Sequence, residues 1–282
     1  MASNTVLTLL QMKQEGKKIS QLTCYDYSAA RLMESAGVDT ILVGDSLGMT
    51  MLGYRTTLPV TINEMIIYGS SVVRGAPNTF VVIDMPFMSY QVSVKQAVEN
   101  AGRLIKETGA NAVKLEGGAA VAPHIRAIVD AGIPVCAHVG MTPQSVNVFG
   151  GFRVQGKGEE NARRVLEDAL CVEQAGAFMC VLECVPPKLA ALITKKTKMV
   201  TIGIGAGAGC DGQVLVYQDM LGITGENTPK FVKKFEEIGQ AMVQAFRAYD
   251  KEVKDGVFPN AAQSYGKSDC SDEFLARLDK EV

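Results

Sequence analysis

Polar residues stand at the carboxyl ends of five consecutive apolar segments of this 282-residue chain. They are Asp45 after ILVG, Asp84 after FVVI, Lys114 and Glu116 in VKLE, His138 after VCA, and Glu183 after CVL. One carboxylate at such a position is usually a turn former or a helix cap. Six polar residues at the ends of five segments in a row are instead typical of a catalytic centre, and we predict that they share one site.

Three of these residues are carboxylates, and no cysteine or histidine pair accompanies them. Magnesium prefers oxygen ligands, whereas zinc sites are usually built from cysteine and histidine. Asp45, Asp84 and Glu116 therefore predict a site for a hard cation such as magnesium.

Lys114 and Glu116 are two positions apart and point to the same side of a strand. With Glu116 directed inward, Lys114 would lie just below it as a buried cation beside an acid.

His138 is one of two histidines in the chain. A histidine in an apolar segment is commonly a core residue, but its place after three acidic strand ends favours a role in the site. His124 lies in a predicted helix, APHIRAIVDAG, and is interpreted as structural.

The segments that carry these residues belong to a series of eight apolar runs with helical patterns between most of them. The runs are KISQLTCYD, DTILVGDS, TFVVIDMP, NAVKLEGG, IPVCAHVG, FMCVLECV, KMVTIGIGAG and QVLVYQDM. This alternation indicates a parallel sheet buried on both faces, and eight units indicate closure into a barrel. We predict an α/β fold with a single (β/α)8 TIM barrel over residues 1–265, capped by an N-terminal helix, and a polar tail over residues 266–282 with one short helix.

Three helix starts have recognisable signatures. Thr61 with Glu64 and Ser93 with Gln96 have capping-box spacing, and Thr228 before Pro229 predicts the first residues of a long helix. That helix has an apolar stripe, which we expect to belong to the core. The stripe is formed by Phe231, Phe235, Ile238, Met242, Phe246 and Tyr249.

Two further patterns are given structural interpretations. Gly207, Gly209 and Gly212 match GxGxxG, but the QVLVY run that follows is a predicted strand, so we interpret the stretch as a loop closing the barrel rim and not as a dinucleotide site. Cys180 and Cys184 are expected on one face of a strand as buried, reduced thiols.

Composition narrows the class of partner. The chain has 28 basic and 30 acidic residues, which excludes a strong electrostatic footprint for nucleic acid or an anionic membrane and favours a small-molecule partner. Its seven cysteines form neither a disulfide framework nor a CxxC site. Without a signal-peptide pattern or a long apolar run, we expect a cytoplasmic protein.

Longer blocks of the sequence are more specific than these short motifs. They are VGDSLGMTMLGYRTTLPVT, RGAPNTFVVIDMPFMSY, ANAVKLEGG, GIPVCAHVGMTPQSVNVFGGFRVQGKG, VLECVP, IGIGAG and LGITGENTPKF. In this order, and over nearly the whole chain up to about Pro259, they resemble the ketopantoate hydroxymethyltransferase family. Tyr68 departs from that family's pattern, where histidine is frequent, and the tail after Gly266 extends beyond the usual end.

The resemblance implies a barrel of the phosphoenolpyruvate/pyruvate superfamily. It implies transfer of a hydroxymethyl group from 5,10-methylenetetrahydrofolate to 3-methyl-2-oxobutanoate, in pantothenate biosynthesis, and a homodecamer. By the same resemblance, Asp45, Asp84 and Glu116 hold magnesium, and Glu183 is the general base. The substrate contacts it implies are Asp45, Ser46, Asp84, Lys114 and His138.

Two other functions remain open from the residues. A magnesium-dependent carbon–carbon lyase or mutase of the same superfamily would use the same chelate to break a bond. A barrel that binds a keto acid as a sensor would show no turnover.

Overall fold

Eight parallel strands close into a barrel in chain order in the computed structural model, which describes residues 4–225, 228–266 and 269–281. The strands are β1 (Ile19–Thr23), β2 (Thr40–Val43), β3 (Phe80–Asp84), β4 (Ala112–Glu116), β5 (Val135–Gly140), β6 (Met179–Glu183), β7 (Val200–Ile204) and β8 (Gly212–Leu215). The predicted fold class and the eight predicted strands are confirmed.

The side chains of each strand alternate between the barrel interior and the layer of surrounding helices. In β4, Ala112 belongs to the interior cluster, whereas Val113 and Leu115 pack in the layer between barrel and helices. Because the period of a strand is two residues, Lys114 and Glu116 follow Ala112 into the interior. This confirms the predicted placement of Lys114 below Glu116.

The N-terminal helix α1 (Val6–Gln14) covers the end of the barrel opposite the site. Leu9 of this helix is fully buried and packs with Ile19, Phe80 and Phe178 from the lower parts of the barrel. This confirms the prediction of a capping N-terminal helix.

The remaining helices follow the strands along the chain. They are α2 (Tyr27–Ala36), α3 (Leu47–Thr50), α4 (Ile62–Gly75), α5 (Val94–Thr108), α6 (Ala122–Asp130), α7 (Val146–Phe149), α8 (Glu159–Gln174), α9 (Pro187–Lys196), α10 (Tyr217–Met220), α11 (Ile238–Lys254) and α12 (Asp272–Glu281), with 3-10 helices at Ala119–Val121, Pro143–Ser145 and Ala261–Gln263. The reciprocal cap between Thr61 and Glu64 is present, and the Ser93 side chain accepts a hydrogen bond from the backbone amide of Gln96. Both predicted helix starts are confirmed.

The glycine-rich stretch forms the connection between β7 and β8, where no helix intervenes. A Cβ atom on Gly209 would lie 2.7 Å from the Cβ of Ala191 in α9, so the chain approaches that helix too closely for a side chain. Only the start of the stretch is near the rim, where a Cβ on Gly205 would lie 3.5 Å from Cys184 Sγ. The prediction of a loop followed by a strand is confirmed, but most of the loop runs down beside α9 instead of closing the rim.

The predicted long helix after Pro229 begins later than expected. The amide of Phe235 donates to the carbonyl of Met220, and that of Ile238 donates to the carbonyl of Leu221. These bonds hold the preceding segment against the turn after α10, so α11 begins at Ile238. The placement of a helix start at Thr228 and Pro229 was therefore wrong.

The expectation that the stripe of this helix belongs to the core was also wrong. No residue of α11 is buried, and Phe246 and Tyr249 are 63% and 61% exposed. The helix does not pack its apolar side against the barrel of its own chain.

Cys180 and Cys184 do not share a strand face, because β6 ends at Glu183 and Cys184 has a φ of 50°. Burial raises the pKa of the Cys180 thiol well above its ordinary value and that of Cys184 to about 11. Both thiols are therefore protonated at neutral pH, which agrees with the expected inert character.

Within the described ranges, none of the helices combines the length and the apolar character needed to cross a membrane. In the predicted tail, α12 is the expected short helix, and its side chains are exposed. Residues 267, 268 and 282 of that tail lie outside the described residues, as do residues 1–3 of the predicted barrel domain.

Candidate active site

Strand register brings the charged side chains of β3, β4 and β5 next to one another. Asp84 pairs with Lys114, and Glu116 pairs with His138. The Lys114 Nζ lies 2.9 Å from Asp84 Oδ1 and 3.8 Å from Glu116 Oε1. All four side chains are at most 4% exposed. The carboxyl ends of these strands thus enclose a dry cluster of two acids, a lysine and a histidine.

His138 connects this cluster to the last predicted site residue. Its Nδ1 lies 3.3 Å from Glu116 Oε1, and its Nε2 lies 3.4 Å from Glu183 Oε2. Burial and the Lys114 charge oppose protonation of the ring, but the Glu116 and Glu183 carboxylates outweigh them and raise the pKa of His138 to about 9. His138 is therefore protonated at neutral pH and acts as a second buried cation.

Asp45 lies two residues beyond β2 and is held against Asp84 by its backbone. Its amide donates to Asp84 Oδ2 at 2.9 Å, and its own Oδ2 accepts from the side chain of Gln144 at 2.9 Å. Burial, followed by the charges of Asp84 and Glu116, raises the pKa of Asp45 well above its ordinary value. Among the ion pairs of the described residues, none neutralises this carboxylate directly.

The other buried groups divide according to their partners. Burial raises the pKa of Asp84, although the Lys114 charge opposes this rise. Burial also acts to raise the pKa of Glu116, but the charges of His138 and Lys114 outweigh it, so the pKa of Glu116 is lowered. Burial lowers the pKa of Lys114, but the charges of Asp84, Glu116 and Asp45 raise it more, so the net shift is upward. Lys114 is a permanent ammonium group in this setting.

Ser46 is placed beside the acids by a close-packed turn after β2. Its Oγ lies 2.7 Å from the hydroxyl of Tyr25, which is fully buried. A Cβ atom on Gly44 would lie 2.8 Å from Ser46 Oγ and 3.6 Å from Asp84 Oδ2. Glycine at position 44 therefore leaves the room that the Ser46 hydroxyl occupies in this turn.

Glu183 occupies the opposite side of His138 from the acid–lysine cluster. It ends β6, and its side chain is 14% exposed, more than any other charged member of the cluster described above. The carboxylate can therefore meet a substrate that enters from solvent at the barrel mouth.

The residues fit a hard divalent cation by their chemistry. Asp45 is a buried carboxylate whose pKa is raised by neighbouring anions, so a cation beside it would relieve both burial and repulsion. Within the described ranges, no group of three or more His, Cys, Asp and Glu side chains is arranged to hold a metal alone. Magnesium commonly takes only one or two protein carboxylates and completes its shell with water and substrate. The predicted third ligand, Glu116, is instead engaged by His138 and by the backbone of Gln144.

All seven predicted site residues lie at the carboxyl ends of the strands or directly after them. Sequence reasoning missed Gln144, Tyr90 and Tyr25, which bind these residues from the loops. Gln144 lies within the block that contains His138, six residues beyond it, and this proximity was the available signal. Tyr68 lies in α4, where it packs in the layer between helices and barrel.

The fold and the site together define a (β/α)8-barrel enzyme with a buried acid–lysine–histidine centre at its catalytic mouth. A family model described as ketopantoate hydroxymethyltransferase matches residues 3–261. The chain belongs to the ketopantoate hydroxymethyltransferase family and is a transferase.

Curated relatives agree over nearly the full length of the chain. It is 62% identical to the 3-methyl-2-oxobutanoate hydroxymethyltransferase of Clostridium novyi (strain NT) over 257 residues, which cover 91% of this chain and 94% of the relative. It is 58% identical to the protein of that name from Enterococcus faecalis (strain ATCC 700802 / V583) over 275 residues, which cover 98% and 99%.

Solved structures share the fold at low identity. A phosphonopyruvate hydrolase in complex with oxalate and Mg2+ has a TM-score of 0.60 at 12% identity, covering 99% of this chain and 96% of that one. A 2,3-dimethylmalate lyase, a member of the PEP mutase/isocitrate lyase superfamily, has a TM-score of 0.59 at 17% identity, covering 99% and 97%. These similarities show that the chain shares the barrel fold of these proteins.

Proposed function

We propose that this enzyme transfers a hydroxymethyl group from 5,10-methylenetetrahydrofolate to 3-methyl-2-oxobutanoate, giving 2-dehydropantoate for pantothenate biosynthesis in the cytoplasm. The observation that carries the proposal is the dry cluster around Lys114, flanked by Asp45 on one side and by Glu183 on the other, in a chain of this family. Such a cluster suits a small anionic keto acid, because it offers two cations and a base within one mouth.

The proposed cofactor is magnesium, with Asp45 and Asp84 as its most direct ligands and Glu116 as the third carboxylate of the site. When bound, the ion would stabilise the negative charge that develops on the keto oxygen as the enolate forms. Lys114 balances the charge of Asp84, and protonated His138 balances that of Glu116, so fewer unpaired anions remain to repel the substrate carboxylate.

Each side chain has a distinct task in the proposed reaction. Glu183 removes the proton from C3 of 3-methyl-2-oxobutanoate, and the carbon then forms a bond to the folate-derived methylene. The two C–N bonds of that methylene break as one water molecule supplies the new hydroxyl group. The two folate nitrogens take up the C3 proton and one proton of the water, which releases tetrahydrofolate. Ser46, Lys114 and His138 can donate to the oxygens of the keto acid, whereas Asp45 and Asp84 only accept and would hold it through the cation. Protonated His138 also keeps the Glu183 carboxylate oriented.

We further propose that the enzyme is a homo-oligomer, ten copies as the family resemblance implies. The exposed apolar side of α11 supports association, because a helix with this pattern normally buries its stripe against another surface.

The test of the proposed function is the donor dependence of product formation. Purified enzyme with Mg2+ and 3-methyl-2-oxobutanoate should form 2-dehydropantoate only when 5,10-methylenetetrahydrofolate is supplied, in a one-to-one ratio with tetrahydrofolate. Cleavage or rearrangement of a keto acid without the folate would instead identify a lyase or mutase. Binding of the keto acid without any turnover would identify a sensor.

A further inference from the structure

Among the described residues, Gln144 is the one whose side-chain amide binds directly to a buried acid of the site. It lies in the 3-10 helix Pro143–Ser145 after β5 and is 6% exposed. Its backbone amide donates to Glu116 Oε2 at 2.9 Å, and its Nε2 donates to Asp45 Oδ2 at 2.9 Å. One residue thus contacts two carboxylates that come from different strands.

The amide group of Gln144 has its hydrogen-bonding capacity filled. Besides Asp45, Nε2 donates to the carbonyl of Met85 at 2.9 Å, while Oε1 accepts from the hydroxyl of Tyr90 at 2.7 Å and from Gln91 Nε2 at 3.1 Å. An amide has two donors and two acceptor positions, so all four are used. The reversed orientation would place Oε1 against a carboxylate and a carbonyl, and the amide is therefore fixed in one orientation.

Tyr90 links this amide to the second acid. Its hydroxyl accepts from the backbone amide of Glu116 at 3.1 Å and donates toward Gln144. Its ring is buried, with an exposed fraction of 1%. The position of Gln144 is thereby tied to the end of β4, which carries Glu116, and not only to its own loop.

Asp45 has few other constraints. Its side chain has no ion pair with Lys114, and the Gln144 amide is its one hydrogen-bond partner among the side-chain contacts of the described residues. A mobile carboxylate must be ordered when it takes up a ligand, and a hydrogen bond that already holds the carboxylate in place removes that cost.

We propose that Gln144, oriented by Tyr90, is a positioning residue that fixes the carboxylates of Asp45 and Glu116 for the joint binding of a divalent cation and the keto acid. The inference rests on the proposed function, since it assigns the amide to the same site. A merely structural amide would support the fold without changing the affinity for the cation.

The experiment compares Gln144→Met, which keeps the length of the side chain but removes both donors, with Gln91→Met as the matched control. Gln91 shares the Gln144 Oε1 contact but does not contact either acid. Mg2+ is titrated calorimetrically into metal-free protein in the presence of saturating 3-methyl-2-oxobutanoate, and circular dichroism checks the fold. We expect Gln144→Met to weaken Mg2+ binding about 10- to 100-fold. Gln91→Met should remain within about threefold of the native affinity.

Kinetics provide a second readout. The Mg2+ concentration for half-maximal rate should rise in Gln144→Met by the same factor as the dissociation constant, while kcat at saturating Mg2+ falls much less. If Gln144→Met does not fold, Tyr90→Phe replaces it, because that change removes only the hydroxyl that orients the amide. Its Mg2+ affinity should fall by at least about threefold.

Native-like Mg2+ affinity in a folded Gln144→Met protein, or in Tyr90→Phe where that variant replaces it, would overturn the inference and leave the proposed function intact. Absence of Mg2+ binding by the native protein would overturn both. If the native protein binds Mg2+ but transfers no hydroxymethyl group, only the proposed reaction is overturned. The effect of Gln144→Met on Mg2+ affinity would still test the positioning of the carboxylates.

Discussion

Asp84 shares its carboxylate between the Lys114 ammonium group and the backbone amide of Asp45. Asp84→Asn keeps an acceptor for that amide but replaces a ligand that suits magnesium with a poorer one. We expect Mg2+-dependent activity to fall at least about 100-fold, while far-UV circular dichroism at room temperature stays native. Asp130→Asn, an exposed position in α6, controls for the change in net charge. Native activity and metal dependence in Asp84→Asn would exclude Asp84 from the metal site.

Lys114 is surrounded by acids that keep its pKa above the ordinary value. A lysine that forms a Schiff base needs a lowered pKa to be nucleophilic at neutral pH, so Lys114 should bind the keto acid by charge alone. Borohydride added to enzyme, Mg2+ and 3-methyl-2-oxobutanoate should therefore leave Lys114 unmodified in a peptide map. A reduced adduct of the keto acid on Lys114 would show that the reaction belongs to another mechanistic class.

His138 should make the stability of the metal-free protein depend on pH. Its pKa of about 9 in the folded protein exceeds the value of roughly 6.5 expected after unfolding. The stabilisation from the charged ring is therefore complete below about pH 6.5 and is lost as the pH rises through about 9. Relative to His138→Gln, the native protein should lose about 3 kcal/mol of unfolding free energy over this interval, as measured by urea denaturation.

The chain offers a direct control, because His124 is its only other histidine. His124→Gln should preserve the pH dependence, and NMR titration of this variant should report the His138 ring alone, with a midpoint near pH 9. A midpoint below 7 would contradict the charge pairing of His138 with Glu116 and Glu183.

The site residues that could be predicted from the sequence share one physical property. Asp84, Lys114, Glu116 and Glu183 lie within strands, so the period of two and the common direction of parallel strands determine where they point. The position of Gln144 does not follow from the strand period. This residue lies in a short 3-10 helix whose position depends on contacts with the end of β4 and with the loops after β2 and β3, and these contacts are not encoded by any local pattern.

Helix α11 shows at the scale of an element what periodicity can and cannot predict. The stripe predicted a helix correctly, because its residues recur at helical spacing whatever surface they meet. It could not reveal the start at Ile238, which is determined by hydrogen bonds to Met220 and Leu221. Nor could it show which surface covers the stripe, since an apolar face toward the core and one toward a second chain have the same pattern.

The uncovered stripe leads to a prediction about assembly. Met242→Glu combined with Phe246→Glu places two charges on the apolar side of α11, where they would be buried by association without partners. We expect this double variant to sediment as a smaller species than the native protein, with unchanged circular dichroism. Gln244→Glu with Ala248→Glu adds the same charge on the opposite side and should keep the native assembly. Equal masses for all three proteins would exclude α11 from the interface.

At the scale of the whole molecule, the count of eight strand units was the decisive signal for a closed barrel. No single strand unit indicates closure. Parallel strands joined in chain order lose their free edges only when the last strand pairs with the first, as β8 does with β1. The connection between β7 and β8 was harder to predict, since a glycine-rich loop replaces the usual helix there. The barrel still closes, because β8 pairs with both β7 and β1.

In the proposed reaction, Glu183 removes the C3 proton of the keto acid before any one-carbon transfer. Enzyme, Mg2+ and 3-methyl-2-oxobutanoate are incubated in heavy water without folate, and the C3 proton is followed by NMR. We expect the native enzyme to exchange this proton for deuterium, and Glu183→Gln to lower both exchange and product formation by about 10²- to 10⁴-fold. Exchange at the native rate in Glu183→Gln would show that another group is the base, and no exchange in the native enzyme would exclude proton removal before transfer.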